Sequence, residues 1–409
     1  MKSFIIHIFF LPIMIKEDKN IQETKKRLGR WWNNEDTDRP CMGYNHPFYG
    51  KIISSLNEVT DFYIPFCLAR NPDGIEVCLD QFEELKQKIY SGGENIYSFF
   101  PNYGAGCLAA ILGIEPEYQK GSNKYGAVGE TVWYMGKIPP DNVVSHIREI
   151  ELNNDNEWYA RYLRVIEYAA KRAQKDYTIA MTDVGGVLDV LSSLLGPEKL
   201  ILTMRRNPEI IDECCRLILE KMLILYDSLQ AIIDNHCQGC DSWLNLWCPD
   251  HYYPIQCDFA AMLNPKWFKR FALPYIEQQA EHMDHAVYHL DGENQIVHLD
   301  DLLALESLDG IQWVPGAGKE ITASYKWMSL YEKIQAAGKK VILNQFEDPT
   351  LITEFYHKLN PDLLYISCFF LDEIRAEFYL PEFIGGKGAK GNFGRYKRKR
   401  KKELREKDS

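Results

Sequence analysis

The chain has 409 residues and a net charge of −11, with 46% hydrophobic and 26% charged residues. This composition excludes global disorder, and the length suffices for one large domain or two ordinary ones. Because the segment 387–408 is strongly basic, the rest of the chain is more acidic than the total indicates, which argues against a nucleic-acid-binding body. Eleven cysteines without regular spacing predict reduced thiols in a cytoplasmic protein.

The two ends of the chain differ from its middle. Residues 1–15 form an apolar run that is too short to span a bilayer and has no small-residue cleavage site after it, so residues 1–20 are predicted to be an N-terminal extension. Residues 385–409 are glycine-rich and then basic, which predicts a disordered tail. Residues 21–384 remain as one domain. No later stretch is apolar enough for a membrane span, so no membrane partner is expected.

The middle of the chain alternates strand-length apolar runs with helical periods. A helix is predicted over 21–32, strands over 59–66 and 95–100, and an insertion after this second strand that contains a helix over 157–174. Regular alternation then begins. The predicted strands are 178–183, 241–247, the run ending at His289, 310–314, 340–344 and 363–368, and the predicted helices are 188–195, 208–233, 265–282, 299–305, 323–337 and 349–359.

Eight strands that alternate with helices favour a (β/α)8 TIM barrel over an open doubly wound sheet. No glycine-rich dinucleotide fingerprint or phosphate loop follows a strand, so a nucleotide is not indicated. In such a barrel the chemistry lies at the carboxyl ends of the strands. Side chains that follow the strands are therefore the candidate site residues.

The stretch 285–292 ends in His289, Asp291 and a glycine, and Cys368 ends the last predicted strand. One imidazole and one thiolate, with an oxygen from Asp291 or Glu347, are donors that zinc accepts. The plain alternative is equally open at this point: His289 as a satisfied rim residue and Cys368 as a small buried hydrophobic side chain.

Two further groups of candidates lie at strand ends or in the irregular segment 248–263 that follows the fourth predicted strand. The acid-base or catalytic candidates are Asp183, Asp258 and Gln256. The candidate pocket residues, for which ordinary core packing is the alternative, are Trp247, Tyr252, Tyr253, Trp313 and Asn344.

Several segments have the character of a known family. They are Trp31-Trp32 with Asp38-Arg39-Pro40, residues 255–265 with Phe271 and Pro274-Tyr275, residues 288–292 and 310–316, and Ser367-Cys368. With them the chain resembles, over roughly residues 25–383, the uroporphyrinogen decarboxylase superfamily, and within it the corrinoid-dependent methyltransferase branch. The resemblance implies a TIM barrel of the uroporphyrinogen decarboxylase type.

The methyltransferases of this superfamily carry a zinc site of the form His-x-Cys with a distant second cysteine. His289 and Cys368 match that pattern, and Asp291 stands where the family has cysteine. A carboxylate in place of a thiolate makes a harder site that suits an oxygen-bearing substrate, or it marks loss of the metal. The decarboxylases instead hold a polycarboxylate substrate with N-terminal arginines, and the stretch 39–47 has a single arginine.

The resemblance therefore implies a zinc-dependent transfer of a methyl group between a small methylated substrate and the corrinoid of a partner protein. Two alternatives stay open, a metal-free decarboxylase of porphyrin biosynthesis and a non-catalytic barrel. The sequence leaves the oligomeric state open, a homodimer included.

Overall fold

A computed structural model describes residues 21–37, 41–47, 67–122, 128–174, 176–316, 318–344 and 346–370. The predicted N-terminal extension, the predicted strand over 59–66 and the basic tail lie outside these ranges. None of the helices in the described ranges has the length and apolar character that a membrane span requires.

The main sheet has seven strands, in the order β2-β1-β11-β10-β9-β8-β7. All neighbours in it are parallel except β2, which is antiparallel to β1 at the edge. Its strands are β1 (Cys41–Pro47), β2 (Ile89–Gly93), β7 (Tyr252–Gln256), β8 (His285–Asp291), β9 (Gly310–Val314), β10 (Lys340–Leu343) and β11 (Leu364–Phe369). Because β7 to β11 all run in one direction, their carboxyl ends lie at one edge of the sheet.

Two smaller pairs of strands complete the β structure. β3 (Ser98–Phe99) is parallel to β6 (Thr178–Ile179), and β4 (Pro116–Ser122) forms an antiparallel hairpin with β5 (Val128–Tyr134). Among the described residues no ladder joins the ends of the main sheet into a ring. The parallel α/β architecture is thus established, and its closure into an eight-stranded barrel stays a prediction.

Fourteen α-helices lie within the described ranges. They are α1 (Ile21–Trp32), α2 (Cys67–Arg70), α3 (Ile75–Lys86), α4 (Leu108–Ile111), α5 (Pro140–Glu149), α6 (Glu157–Ala173), α7 (Val187–Leu195), α8 (Pro197–Arg206), α9 (Pro208–Asp234), α10 (Pro265–Phe271), α11 (Leu273–His282), α12 (Leu299–Leu303), α13 (Met328–Ala336) and α14 (Ile352–Lys358). Short 3-10 helices span Asp258–Met262, Glu293–His298, Tyr325–Trp327, Pro349–Leu351 and Pro361–Leu363.

Helix α1 packs against the amino-terminal end of the main sheet. Trp31 lies 5.8 Å from the Tyr365 ring, and Trp32 lies about 5 Å from the rings of Tyr252 and His285, which open β7 and β8. Both tryptophans are fully buried. Because these large side chains fill the amino-terminal end, the cavity of the fold lies at the carboxyl end.

Most predicted elements of the second half are confirmed, many with ends shifted by one or two residues. The predicted strand over 178–183 is shortened to β6, and the predicted helices over 323–337 and 349–359 begin later, at Met328 and Ile352, each after a 3-10 turn. The predicted helix over 265–282 is divided at Ala272, since Pro274 lacks the amide hydrogen that a continuous helix needs. Strand β7 was missed because Pro254 in its middle disguises the strand pattern. Strand β1 was missed as well.

The predicted strand over 241–247 is wrong. Asp241 makes a single bridge to Ala180, and Cys240 pairs antiparallel with Cys248, so the chain between them folds back as a hairpin. Asn245 adopts a left-handed backbone conformation with φ 50°, which a strand cannot accommodate. The expectation that all cysteines are reduced also fails, because Cys78 is disulfide-bonded.

Candidate metal centre and cavity

A cavity of about 710 Å³ opens at the carboxyl ends of the parallel strands. Side chains from β1, β8, β9 and β11, from the residues after β10, and from the segment 314–322 line it together with the tip of the 240–248 hairpin. Its volume lies within the range of small-molecule sites. The cavity therefore lies at the strand ends, where the sequence predicts the site.

His289 lies on β8 and lines the cavity. Its Nδ1 donates a hydrogen bond to the side-chain oxygen of Gln312, the residue beside it in the β8–β9 register. Its ring meets the Trp243 ring at 4.9 Å and nearly at a right angle. Because Nδ1 carries the donated proton, Nε2 of the neutral ring keeps a lone pair, the tautomer that a metal ligand needs.

Two carboxylates lie beside this imidazole. Asp258, His289 and Asp291 each offer a ligand atom, and these three atoms all lie within 4.8 Å of one another. His289 and Asp291 share one face of β8 because they are two residues apart, and Asp258 opens the 3-10 helix that follows the neighbouring strand β7. One imidazole and two carboxylates at this spacing can coordinate a divalent ion.

The electrostatics of the group favour a cation. Burial raises the pKa of Asp291, and the charge of Asp258 raises it further, while His289 acts in the opposite direction. Two carboxylates held close together repel each other in their charged forms, and a divalent ion relieves that repulsion.

Two half-buried aspartates, Asp189 and Asp183, support the centre. Asp189 accepts hydrogen bonds from the backbone amides of Asp258 (3.0 Å) and Phe259 (2.7 Å), so it fixes the start of the helix that carries Asp258. Burial raises the pKa of Asp189 to about 7. Sequence reasoning missed this residue, because an aspartate inside a predicted helix has no strand-end signal.

Asp183 is the second half-buried aspartate. Its Oδ1 accepts hydrogen bonds from the Gln256 side-chain amide (2.8 Å) and from the Gly185 backbone (3.0 Å). Burial raises the pKa of Asp183 to about 6, and the nearby charge of Asp258 adds to the increase. The structure thus brings two further predicted catalytic candidates, Asp183 and Gln256, into contact with each other, with the charge of Asp258 nearby.

The other two predicted metal ligands have different surroundings. Cys368 lines the same cavity as His289, but it is not a member of the three-residue group, and burial raises the pKa of its thiol. The Glu347 carboxylate accepts hydrogen bonds from the backbone amides of Thr322 (3.2 Å) and Ala323 (3.3 Å). Glu347 therefore holds the cavity segment in place.

Of the five predicted pocket residues, one lines the cavity and four lie outside its lining. Asn344 lines the cavity, and its side-chain amide donates to the Leu244 carbonyl at 2.6 Å. The other four lie outside the cavity lining: Trp247 donates to the Gln238 carbonyl, Tyr252 is hydrogen-bonded to Ser242, Tyr253 to Val184 N, and Trp313 packs on Trp327.

Trp243 is the aromatic side chain that the hairpin contributes to the cavity. It was missed because the sequence predicts the segment 241–247 as a strand that ends at Trp247. A glycine-free turn with asparagine in the left-handed conformation gives a weak sequence signal.

No family model matches the sequence, and no curated protein matches it. Among solved structures, a methyltransferase from Methanosarcina mazei is similar, with a TM-score of 0.54 and 13% sequence identity over 86% of this chain and 94% of that chain. The two proteins share a fold. At this identity the similarity extends to the architecture and not to the residues of the site.

Proposed function

We propose that the protein is a metal-dependent methyltransferase that moves a methyl group between a small methylated substrate and the corrinoid of a partner protein. The observation that carries the proposal is the convergence of Asp258, His289 and Asp291 beside the cavity. The fold that the chain shares with a methyltransferase supports it. The family resemblance of the strand-end segments points in the same direction.

Asp258, His289 and Asp291 would hold the metal, with zinc as the first candidate. When bound, such an ion supplies Lewis acidity at the heteroatom that gives or receives the methyl group. Gln312 keeps His289 in the ligating tautomer, and Asp189 keeps Asp258 at the start of its helix. Trp243 covers one side of the imidazole and limits its contact with water.

Asp183 is the residue that we assign to proton handling. Its pKa of about 6 lies close to neutral pH, so it can exist in either protonation state there. The Gln256 amide donates to its charged oxygen and fixes its orientation. The corrinoid would reach the substrate from the open side of the cavity.

The test combines metal analysis with a methyl-transfer screen. Protein purified without chelator is assayed for bound metal, and methylated compounds are then incubated with it and reduced free cobalamin while methyl-cobalt formation is followed by absorbance. We expect metal and transfer in the wild type and in His251→Ala, whose imidazole is exposed and bonded to Asp234. We expect the loss of both in His289→Ala. Full transfer by His289→Ala would refute the metal-dependent mechanism.

The decarboxylase alternative is disfavoured by the charges of the cavity. Among its described lining residues, Lys319 is the one lysine or arginine, and it faces three carboxylates, those of Asp291, Glu320 and Glu347. A polycarboxylate would be repelled there. Formation of coproporphyrinogen from uroporphyrinogen by the pure protein would overturn this ranking.

A further inference from the structure

We infer that the cavity binds a cationic, ammonium-bearing small molecule and discriminates against carboxylates. The inference rests on the proposed function, because it takes the ligand of this cavity to be the methyl-group substrate. Three features of the cavity carry it: the charges of the wall, its hydrogen-bond acceptors and its aromatic side chains.

The charges of the wall leave one negative group without a partner. A divalent ion held at the proposed centre would balance Asp258 and Asp291. The Glu347 carboxylate is bonded to two backbone amides, and the Lys319 ammonium lies 3.7 Å from Glu293. Glu320 is exposed and lines the cavity, and within the described ranges its carboxylate has no hydrogen bond or ion pair. A positive ligand would complete this balance, whereas a carboxylate would add to the repulsion.

The uncharged polar groups of the wall include unpartnered acceptors. Asn45 is 4% exposed and its Oδ1 has no hydrogen-bond partner. Asn344 donates from Nδ2 to the Leu244 carbonyl, which fixes the amide orientation and leaves its Oδ1 without a partner. A buried acceptor without a donor is unfavourable, and N–H or O–H groups of a ligand would satisfy it. A carboxylate has no proton to donate.

Aromatic side chains complete the wall. Trp243, Phe346 and Phe369 line the cavity together with these acceptors. Aromatic rings attract ammonium groups and also pack against methyl groups. A wall that contains such rings can therefore accept a methylated ammonium even where no carboxylate faces the ligand. The cavity volume of about 710 Å³ leaves room for such a ligand beside the metal centre.

The test uses three probes of nearly equal shape and different charge: choline, 3,3-dimethylbutan-1-ol and 3,3-dimethylbutanoate. Their binding to the metal-loaded protein is measured by calorimetry. We expect choline to bind about tenfold more tightly than the neutral alcohol, a difference of about 1.4 kcal/mol, and the carboxylate to bind most weakly. Added salt should reduce the preference for choline.

Glu320→Gln is the test variant, and Glu332→Gln, on the exposed face of α13, is its matched control. We expect Glu320→Gln to lower the affinity for choline several-fold without changing that for the alcohol, and Glu332→Gln to change neither. Equal affinities for the three probes, tighter binding of the carboxylate, or no binding of choline at millimolar concentration would overturn the inference.

The outcomes separate this inference from the proposed function. Methyl transfer to cobalamin from a neutral methoxy compound, together with no preference for choline, would refute the cationic ligand and leave the methyltransferase in place. A clear preference for choline without transfer from any methylated compound would refute the methyltransferase and leave a cation-binding cavity.

Discussion

Asp241 is a fully buried carboxylic acid at the base of the hairpin whose tip lines the cavity. Its Oδ1 accepts the Ser242 amide at 2.7 Å, and its Oδ2 has no hydrogen-bond partner. Burial raises its pKa from 3.8 to about 7. Because the folded pKa lies above the unfolded one, the folded state holds a proton that the unfolded state has released, and stability falls as the pH rises from about 4 to about 7.

The size of this effect follows from the pKa difference. At roughly 1.4 kcal/mol per pKa unit, ionising Asp241 removes about 2–3 kcal/mol from the free energy of unfolding between about pH 5 and about pH 8. Asp241→Asn cannot ionise, so its stability should decline less over the same interval by about that amount. Asp155→Asn, at an exposed position, should follow the wild type.

The assay is urea denaturation followed by circular dichroism at about pH 5 and about pH 8 for the three proteins. Comparing variants at each pH cancels the contributions of Asp183 and Asp189, which have the same sign. A pH dependence of Asp241→Asn that equals that of the wild type would refute the reasoning, since it would mean that Asp241 titrates normally in the folded protein.

Three further predictions concern the supports of the centre. Gln312→Leu should weaken metal binding by about 10–100-fold, since His289 loses its orienting acceptor; an unchanged metal affinity in titrations would contradict this. Asp189→Ala should lower stability by about 1–3 kcal/mol in urea and weaken metal binding, with partial recovery in Asp189→Asn, because the two amides of the Asp258 helix lose their acceptor. Glu347→Gln should lower the melting temperature in calorimetry and retain full metal content; loss of the metal would identify Glu347 as a ligand.

The parallel strands of the second half were predictable because their apolar runs are short and each is separated from the next by a helical period. Strand β9 coincides with its prediction, and β8, β10 and β11 differ from theirs by a residue or two. Strands β8, β10 and β11 position His289, Asp291, Asn344 and Cys368. Because the carboxyl ends of parallel strands lie at one edge of a sheet, all four side chains could be expected at the same edge, and all four line the cavity there.

The sequence could not predict the contacts that depend on side-chain direction and on turns. Asp258 was predicted as catalytic and not as a ligand, because its distance from His289 depends on the pairing of β7 with β8 and on a 3-10 turn. The hairpin 240–248 is rich in tryptophan and leucine and has the length of a strand. The left-handed backbone conformation of Asn245, which turns the chain, depends on tertiary packing and has only a weak sequence signal.

The metal content of the purified protein tests most directly whether Asp258, His289 and Asp291 form a metal centre. Wild-type protein, Asp258→Asn and Cys368→Ser are purified without chelator, and the metal bound per chain is determined by mass spectrometry. We expect about one divalent ion per chain in the wild type and in Cys368→Ser, and a strong loss in Asp258→Asn. Retention of the ion in Asp258→Asn together with its loss in Cys368→Ser would contradict this expectation.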